Sequence, residues 1–196
     1  AACARPAPDT GDAPPAQTIE GATFNAATWL EDVRGAETDG RRIELAGRLL
    51  DTVDWREACG EDDPTAPRRG VVQLHAVGGG RTLAEITCQT FAYQSVFALV
   101  DADAGRPPRL VRSLTVSDEG EPTENVTASF HGVVSTAGDP PGGFDILTKS
   151  AGHGGCGTHV RYRLAPDGGA EIVEVRAHAD CDEPLAPEAW PVTYPR

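Results

Sequence analysis

With 196 residues, 39% of them hydrophobic, and with 22 Gly and 16 Pro, the chain has room for a sizeable core but not the composition of a long-helix bundle. Its formal net charge of −13, from 30 acidic and 17 basic residues spread along the sequence, excludes the concentrated basic surface that a nucleic-acid backbone requires. No apolar run reaches the roughly 18 residues of a membrane-crossing helix.

The chain contains no Met and begins Ala1-Ala2-Cys3, from which we expect that a leader has been removed. Ala-Ala-Cys is similar to the end of a bacterial lipobox, where small residues precede a cysteine that becomes the lipidated N-terminus. Cys3 is therefore the candidate lipidation site, and the Pro/Ala-rich residues that follow read as a semi-extended spacer. The expected organisation is a leader remnant and linker over 1–20 and one β-rich globular domain over 21–196.

Over 24–36, Ala26, Trp29, Leu30 and Val33 recur at helical spacing behind Asn25, which predicts a short capped helix. The stretch 41–56 is compatible with two periods. Ile43, Leu45, Gly47 and Leu49 alternate as in a strand, whereas Ile43, Ala46, Leu50 and Val53 would stripe a helix. Gly47 in mid-element favours the strand. A loop is expected over 60–70, where acidic residues, two prolines and Arg68-Arg69 break any period.

From Val71 onward, eight short segments rich in Val, Thr, Phe or Leu predict an antiparallel meander forming a sandwich or an open barrel. They run 71–77, 81–88, 92–101, 109–117, 126–134, 143–149, 157–165 and 171–179. Alternation is cleanest at 126–134, with Val126, Ala128, Phe130 and Val134 on one face and Thr127, Ser129 and His131 on the other.

Five cysteines divide into Cys3 and four in the folded part. Pairing the last two segments so that Val160 faces Ala177, Tyr162 faces Val175 and Leu164 faces Val173 also sets Cys156 opposite Cys181. One register thus satisfies three apolar pairs and a disulfide. On a chain-entropy model that link is worth about 3–4 kcal/mol. By elimination Cys59 pairs with Cys88. Metal ligation is the rival use of the thiols, but no C-x-x-C spacing occurs. The same register places His159 opposite His178 on the outer face, a weak candidate pair for a transition metal or a pH-sensitive contact. No cofactor is expected.

Other motifs carry little chemistry. Asp101-Ala-Asp103-Ala-Gly105 echoes the opening of a calcium loop but lacks the third acidic ligand and the closing Glu, so a turn is expected. Ser95, Ser113, Ser117, Ser129, Ser135 and Ser150 stand in no nucleophile-elbow context. Gly78 to Gly80 is followed by no Lys-Ser/Thr pair and reads as a turn rather than a phosphate cradle.

Cys88-Gln-Thr-Phe-Ala-Tyr93, Leu147-Thr-Lys-Ser-Ala-Gly-His-Gly-Gly-Cys156-Gly157, Cys181 and Trp190-Pro191 form a series, and on these residues the stretch from Cys88 to Pro191 resembles a family of uncharacterised bacterial secreted and envelope proteins. Where such proteins tend to carry Arg-Gly-x-Gly-Asp-Cys-Gly, this chain has Ala151 and Gly155 in the Arg and Asp places. The resemblance implies secretion and a Cys156–Cys181 bridge, and it brings no reaction or ligand with it.

The expected function is that of a cell-envelope lipoprotein, exported and held at the membrane only through its lipid. It would bind a protein or a cell-wall component rather than nucleic acid. Inhibition of a basic lytic enzyme is one concrete version. The alternatives are a hydrolase whose site includes His131, His159 or His178, and a structural part in envelope assembly.

Overall fold

Three helices open the described part of the chain: α1 (Ala26–Arg34), α2 (Asp39–Leu50) and α3 (Arg56–Cys59). The computed structural model describes residues 24–60, 70–136 and 142–195. Cys3, the linker over 1–20 and most of the loop expected at 60–70 therefore lie outside the described residues.

Helix α1 forms as its spacing predicts. Asn25 caps it by accepting the Thr28 N–H at 3.1 Å, and Ala26, Trp29, Leu30 and Val33 are its buried face. Helix α2 occupies the ambiguous stretch, so the strand expected at 41–56 is replaced by a helix. Thr38 caps α2 through the Arg41 N–H, and Leu45, Ala46, Leu49 and Leu50 make a buried stripe. Gly47 costs about 1 kcal/mol relative to Ala in a helix. Burying four apolar side chains outweighs that cost. The Trp29 indole N–H donates to the Leu45 carbonyl at 2.8 Å, and Asp32 pairs with Arg41 and Arg48 at 3.6 and 3.4 Å, locking α1 to α2.

Among the described residues, strands β1 (Val72–Ala76), β2 (Thr82–Thr90), β3 (Ser95–Asp101), β4 (Arg109–Leu110), β7 (Ser129–Ser135), β8 (Gly143–Lys149), β9 (Gly157–Leu164), β10 (Ala170–His178) and β11 (Val192–Tyr194) form a nine-stranded sheet. All its ladders are antiparallel, in the order β1-β2-β3-β7-β8-β9-β10-β11, with β4 added to β3. Strands β5 (Ser113–Val116) and β6 (Pro122–Thr127) form a separate two-stranded ribbon. The protein is mostly antiparallel β, as expected, and its main sheet is open, with β1 and β11 as its edges.

The central strands β2 and β3 are covered on both faces. Ala84, Ile86, Ala98 and Val100 face the helices in one core, and Leu83, Phe97 and Leu99 join a second core on the far side. The unbroken run Val96-Phe97-Ala98-Leu99-Val100 is the sequence counterpart of such two-sided burial. Strands β8 to β10 are buried on one face only. Phe144, Ile146, Val160, Tyr162, Leu164 and Val175 point into the second core. The opposite face carries Asp145, His159, Arg161, Glu174 and Arg176, linked in part by Arg161–Asp145 at 3.2 Å and Arg176–Glu174 at 2.8 Å.

Two of the expected segments are split. The segment 109–117 divides into β4 on the main sheet and β5 on the ribbon. In 126–134 the break falls at Thr127, whose hydroxyl accepts the Ser129 N–H at 3.0 Å and donates to the Ser129 carbonyl at 3.2 Å. That local turn resets the alternation. Ala128 and Phe130 are buried, while Val126 stays on the ribbon with 62% of its surface exposed.

The last hairpin also differs from its expected register. Val160 faces Val175, Tyr162 faces Ile172 and Leu164 faces Ala170, because a bulge between Ile172 and Glu174 leaves Val173 unpaired. His159 therefore faces Arg176 and His178 faces Gly157, so the two histidines do not oppose each other. Arg161 faces Glu174 and Arg163 faces Glu171, the second pair being ion-paired at 2.6 Å. Both disulfides nevertheless form: Cys156–Cys181 joins Cα atoms 5.1 Å apart and Cys59–Cys88 Cα atoms 5.2 Å apart.

Candidate functional site

The ribbon β5–β6 stands over one end of the inner face of the sheet, and the space between them is a cleft of about 380 Å³. Gly120, in the ribbon turn, makes that docking possible. It has φ +81°, and a Cβ there would lie 2.5 Å from the Thr193 hydroxyl and 2.7 Å from Ala177 Cβ. Thr193 secures the contact by donating to the Gly120 carbonyl at 2.8 Å.

Phe130, Ile146, Val160 and Tyr162 form the apolar floor, because the inward-facing positions of three neighbouring strands, β7 to β9, converge there. Burial pushes the Tyr162 phenol well above its usual range, only partly countered by the nearby Ser113 hydroxyl, so Tyr162 is a neutral floor residue at any physiological pH.

Hydroxyls line the walls. Thr115 and Ser117 come from β5 and its turn, Thr127 from the end of β6, and Thr148, Ser150 and Thr158 from the ends of β8 and β9, on the same face as Ile146 and Val160. Ser129 borders the cleft too, but it faces Ala98 in the β3–β7 ladder, so its side chain belongs to the helix-covered face. Several hydroxyls are tied internally. Thr115 bonds Thr123 across the ribbon, Thr127 bonds Ser129, and Thr148 donates to the His131 carbonyl. The hydroxyls of Ser150 and Thr158 have no hydrogen-bond partner among the described residues.

The Cys156–Cys181 bridge braces the rim, since it immediately precedes Gly157 and Thr158 and closely follows His178 and Ala179, all of which line the cleft. Gly157 sits where β9 crosses between β8 and β10. With φ +140° and a Cβ position 2.0 Å from the Thr148 carbonyl, no larger residue fits without backbone movement.

Outside the cleft, the same end of the sheet carries a polar and aromatic tip. Gln94 and Lys149 exchange hydrogen bonds at 3.0 and 2.9 Å. Phe91 and Tyr93 are about half exposed, Phe91 lying edge-on to His131 with centroids 5.9 Å apart. The structure thus brings together Cys88–Tyr93 and Leu147–Gly157, segments far apart in the chain.

The histidines go to different tasks. His131 and His178 both border the cleft, but His178 Nε2 bonds the Glu183 carbonyl at 2.8 Å and its ring lies 6.3 Å from that of Trp190. His159 is on the outer face, 3.8 Å from Asp145. Burial by itself would raise the Asp145 carboxyl, but His159 and Arg161 outweigh it and hold the group below its usual range. His153 accepts the Gly155 N–H within its own loop. His75 meets Glu85 at 2.7 Å on β1 and β2, outside the residues that line the cleft.

No group of three or more His, Cys, Asp or Glu among the described residues could hold a metal. Arg81 and Arg106 occupy the carboxylates of Asp101 and Asp103, and Asp103 also accepts the Gly105 N–H, giving the expected turn rather than a cation loop. Sequence reasoning weighed Ser117, Ser129 and Ser150 only as nucleophiles. Their shared cleft depends on the ribbon crossing the sheet, which no local pattern encodes.

No family model matches the chain, and neither does any curated protein or solved structure.

Proposed function

We propose that this protein is an exported, lipid-anchored binding module of the bacterial cell envelope, working by recognition rather than by catalysis. The observation that carries the proposal is the bracing of the cleft: the Cys156–Cys181 disulfide fixes the two strand ends that form its rim. A preformed, cross-linked cleft loses little conformational entropy on binding, which favours recognition. Two disulfides also suit an oxidising compartment outside the cytosol. Support for the anchor is the Ala1-Ala2-Cys3 sequence.

The acidic surface gives the proposal a partner of definite chemistry, a basic cell-wall lytic enzyme, since a net charge of −13 speeds encounter with a cationic protein. Full-length protein, non-lipidated and oxidised, is mixed with a purified basic lysozyme-type hydrolase and assayed for complex formation and inhibition at low and at physiological salt. The expected result is a saturable complex that weakens on reduction and in Ser150→Ala or Thr158→Val. Failure to bind or inhibit would remove the lytic-enzyme version.

A further inference from the structure

We infer that the cleft beneath the β5–β6 ribbon binds an uncharged saccharide. The inference rests on reading that cleft as a binding site and adds the class of ligand. Three features of the lining select it.

The first is charge. Among the described residues no Lys or Arg borders the cleft, so a phosphate, sulfate or carboxylate would meet no counter-charge in that lining. Asp118, the one carboxylate among the described lining residues, is too little to desolvate a cation on its own.

The second is the kind of polar group. A hydroxyl both donates and accepts, so a hydroxyl-lined wall matches a ligand whose own polar groups are hydroxyls in either orientation. The hydroxyls of Ser150 and Thr158, free of partners among the described residues, come from the end of β8 and from β9, and Thr115 and Ser117 face them from the ribbon, so hydroxyls line more than one side of the space.

The third is the floor. Phe130, Ile146, Val160 and Tyr162, each no more than 5% exposed, close the base of the cleft with apolar atoms against which the C–H groups of a sugar can rest. A volume of about 380 Å³ is at the small end of ligand sites and suits a short stretch of glycan.

The test titrates full-length, oxidised protein with chitotetraose, cellotetraose, maltotetraose and xylotetraose to millimolar concentration by calorimetry. Chemical-shift mapping of the wild-type protein in parallel locates any binding without a variant. We expect at least one tetrasaccharide to bind saturably, with shifts centred on Thr148, Ser150 and Thr158. Loss of one neutral hydrogen bond should weaken it about 3- to 10-fold in each of Ser150→Ala and Thr158→Val, with unfolding midpoints near wild type. The inference is overturned if none of the four binds, or if shifts map elsewhere. Should the saccharides fail while the lytic-enzyme complex is still weakened by Ser150→Ala and Thr158→Val, the cleft remains a binding site for another ligand. Should neither probe respond to those variants, both readings fall.

Discussion

The two halves of the sheet solve the same packing problem in opposite ways. Strands β1 to β3 have their outer face sealed by α1, α2 and α3, so that Trp29, Leu45, Leu49, Ile86 and Val100 lose all or nearly all contact with water. Strands β8 to β10 leave the corresponding face as an open charge ladder, and their inner face is roofed at one end only by the two-stranded β5–β6 ribbon. A helix pair fills the space above a sheet continuously, whereas a narrow ribbon leaves a gap beside it. The first half is built for stability, and the second half spends part of its core on a cleft. Each half has one disulfide, but only Cys156–Cys181 borders that cleft.

The sharpest way to break this comparison is to damage the sealed half. Trp29→Ala removes a fully buried indole and its bond to Leu45, and should cost about 3–5 kcal/mol in urea unfolding. Saccharide affinity, measured while the variant is still folded, should be unchanged. An affinity loss as large as the stability loss would show that the halves are not separable.

The two disulfides then provide a matched pair. Replacing Cys59 and Cys88 by Ser, or Cys156 and Cys181 by Ser, should each lower stability by about 3–4 kcal/mol, since the loops are of similar length. Only the second replacement should also weaken cleft binding, because only that bridge holds the rim. Intact mass before and after reduction checks that both bonds are present in the starting protein.

Gly157→Ala tests the rim at one atom. The added Cβ meets the Thr148 carbonyl, and the positive φ is unfavourable for alanine, so about 1–3 kcal/mol of stability should be lost. Binding should fall more than in Thr158→Val, because the backbone of two lining strands must shift.

The smallest effect belongs to the charge ladder. The Asp145 carboxyl is held below its ordinary value of 3.8, so its contribution is complete above the usual carboxylate range and is lost as pH falls through the depressed value. Asp145→Asn should lower stability by about 0.5–1 kcal/mol at neutral pH, Arg161 being part-exposed and screened, and should make the decline in urea midpoint on acidification shallower. An unchanged acid profile would show the ladder to be ornamental to stability.

The parts legible in the sequence were those decided by short-range pattern. The period of Ala26, Trp29, Leu30 and Val33 predicts α1, and the hydrophobic run of β3 and the alternation of β9 predict strands buried on two faces and on one. Region 41–56 was misread because strand and helix stripes share residues there, and the choice fell to which one the sheet could cover. The hairpin register slipped because alternation says which residues share a face, not where a bulge such as that at Val173 absorbs one of them. The Cys156–Cys181 pairing survived the slip because the ladder ends at His178, leaving Cys181 in the irregular stretch beyond rather than held at a strand position.

Among the candidate residues, the four disulfide cysteines were recoverable from spacing and elimination, whereas the hydroxyls of the cleft were not. Thr158 shares the inner face of its strand with Val160 and Tyr162, Ser150 lies just past the end of β8, and nothing local marks either as lining a cleft. The sequence by itself determined a β-rich, acidic, disulfide-bearing chain, because composition, period and cysteine count act locally and add up along the chain. The tertiary structure alone decided that a ribbon crosses the sheet at Gly120, that the helices cover one half and not the other, and that a cleft opens in consequence. Those are outcomes of long-range packing, in which the free energy lies between elements rather than within them.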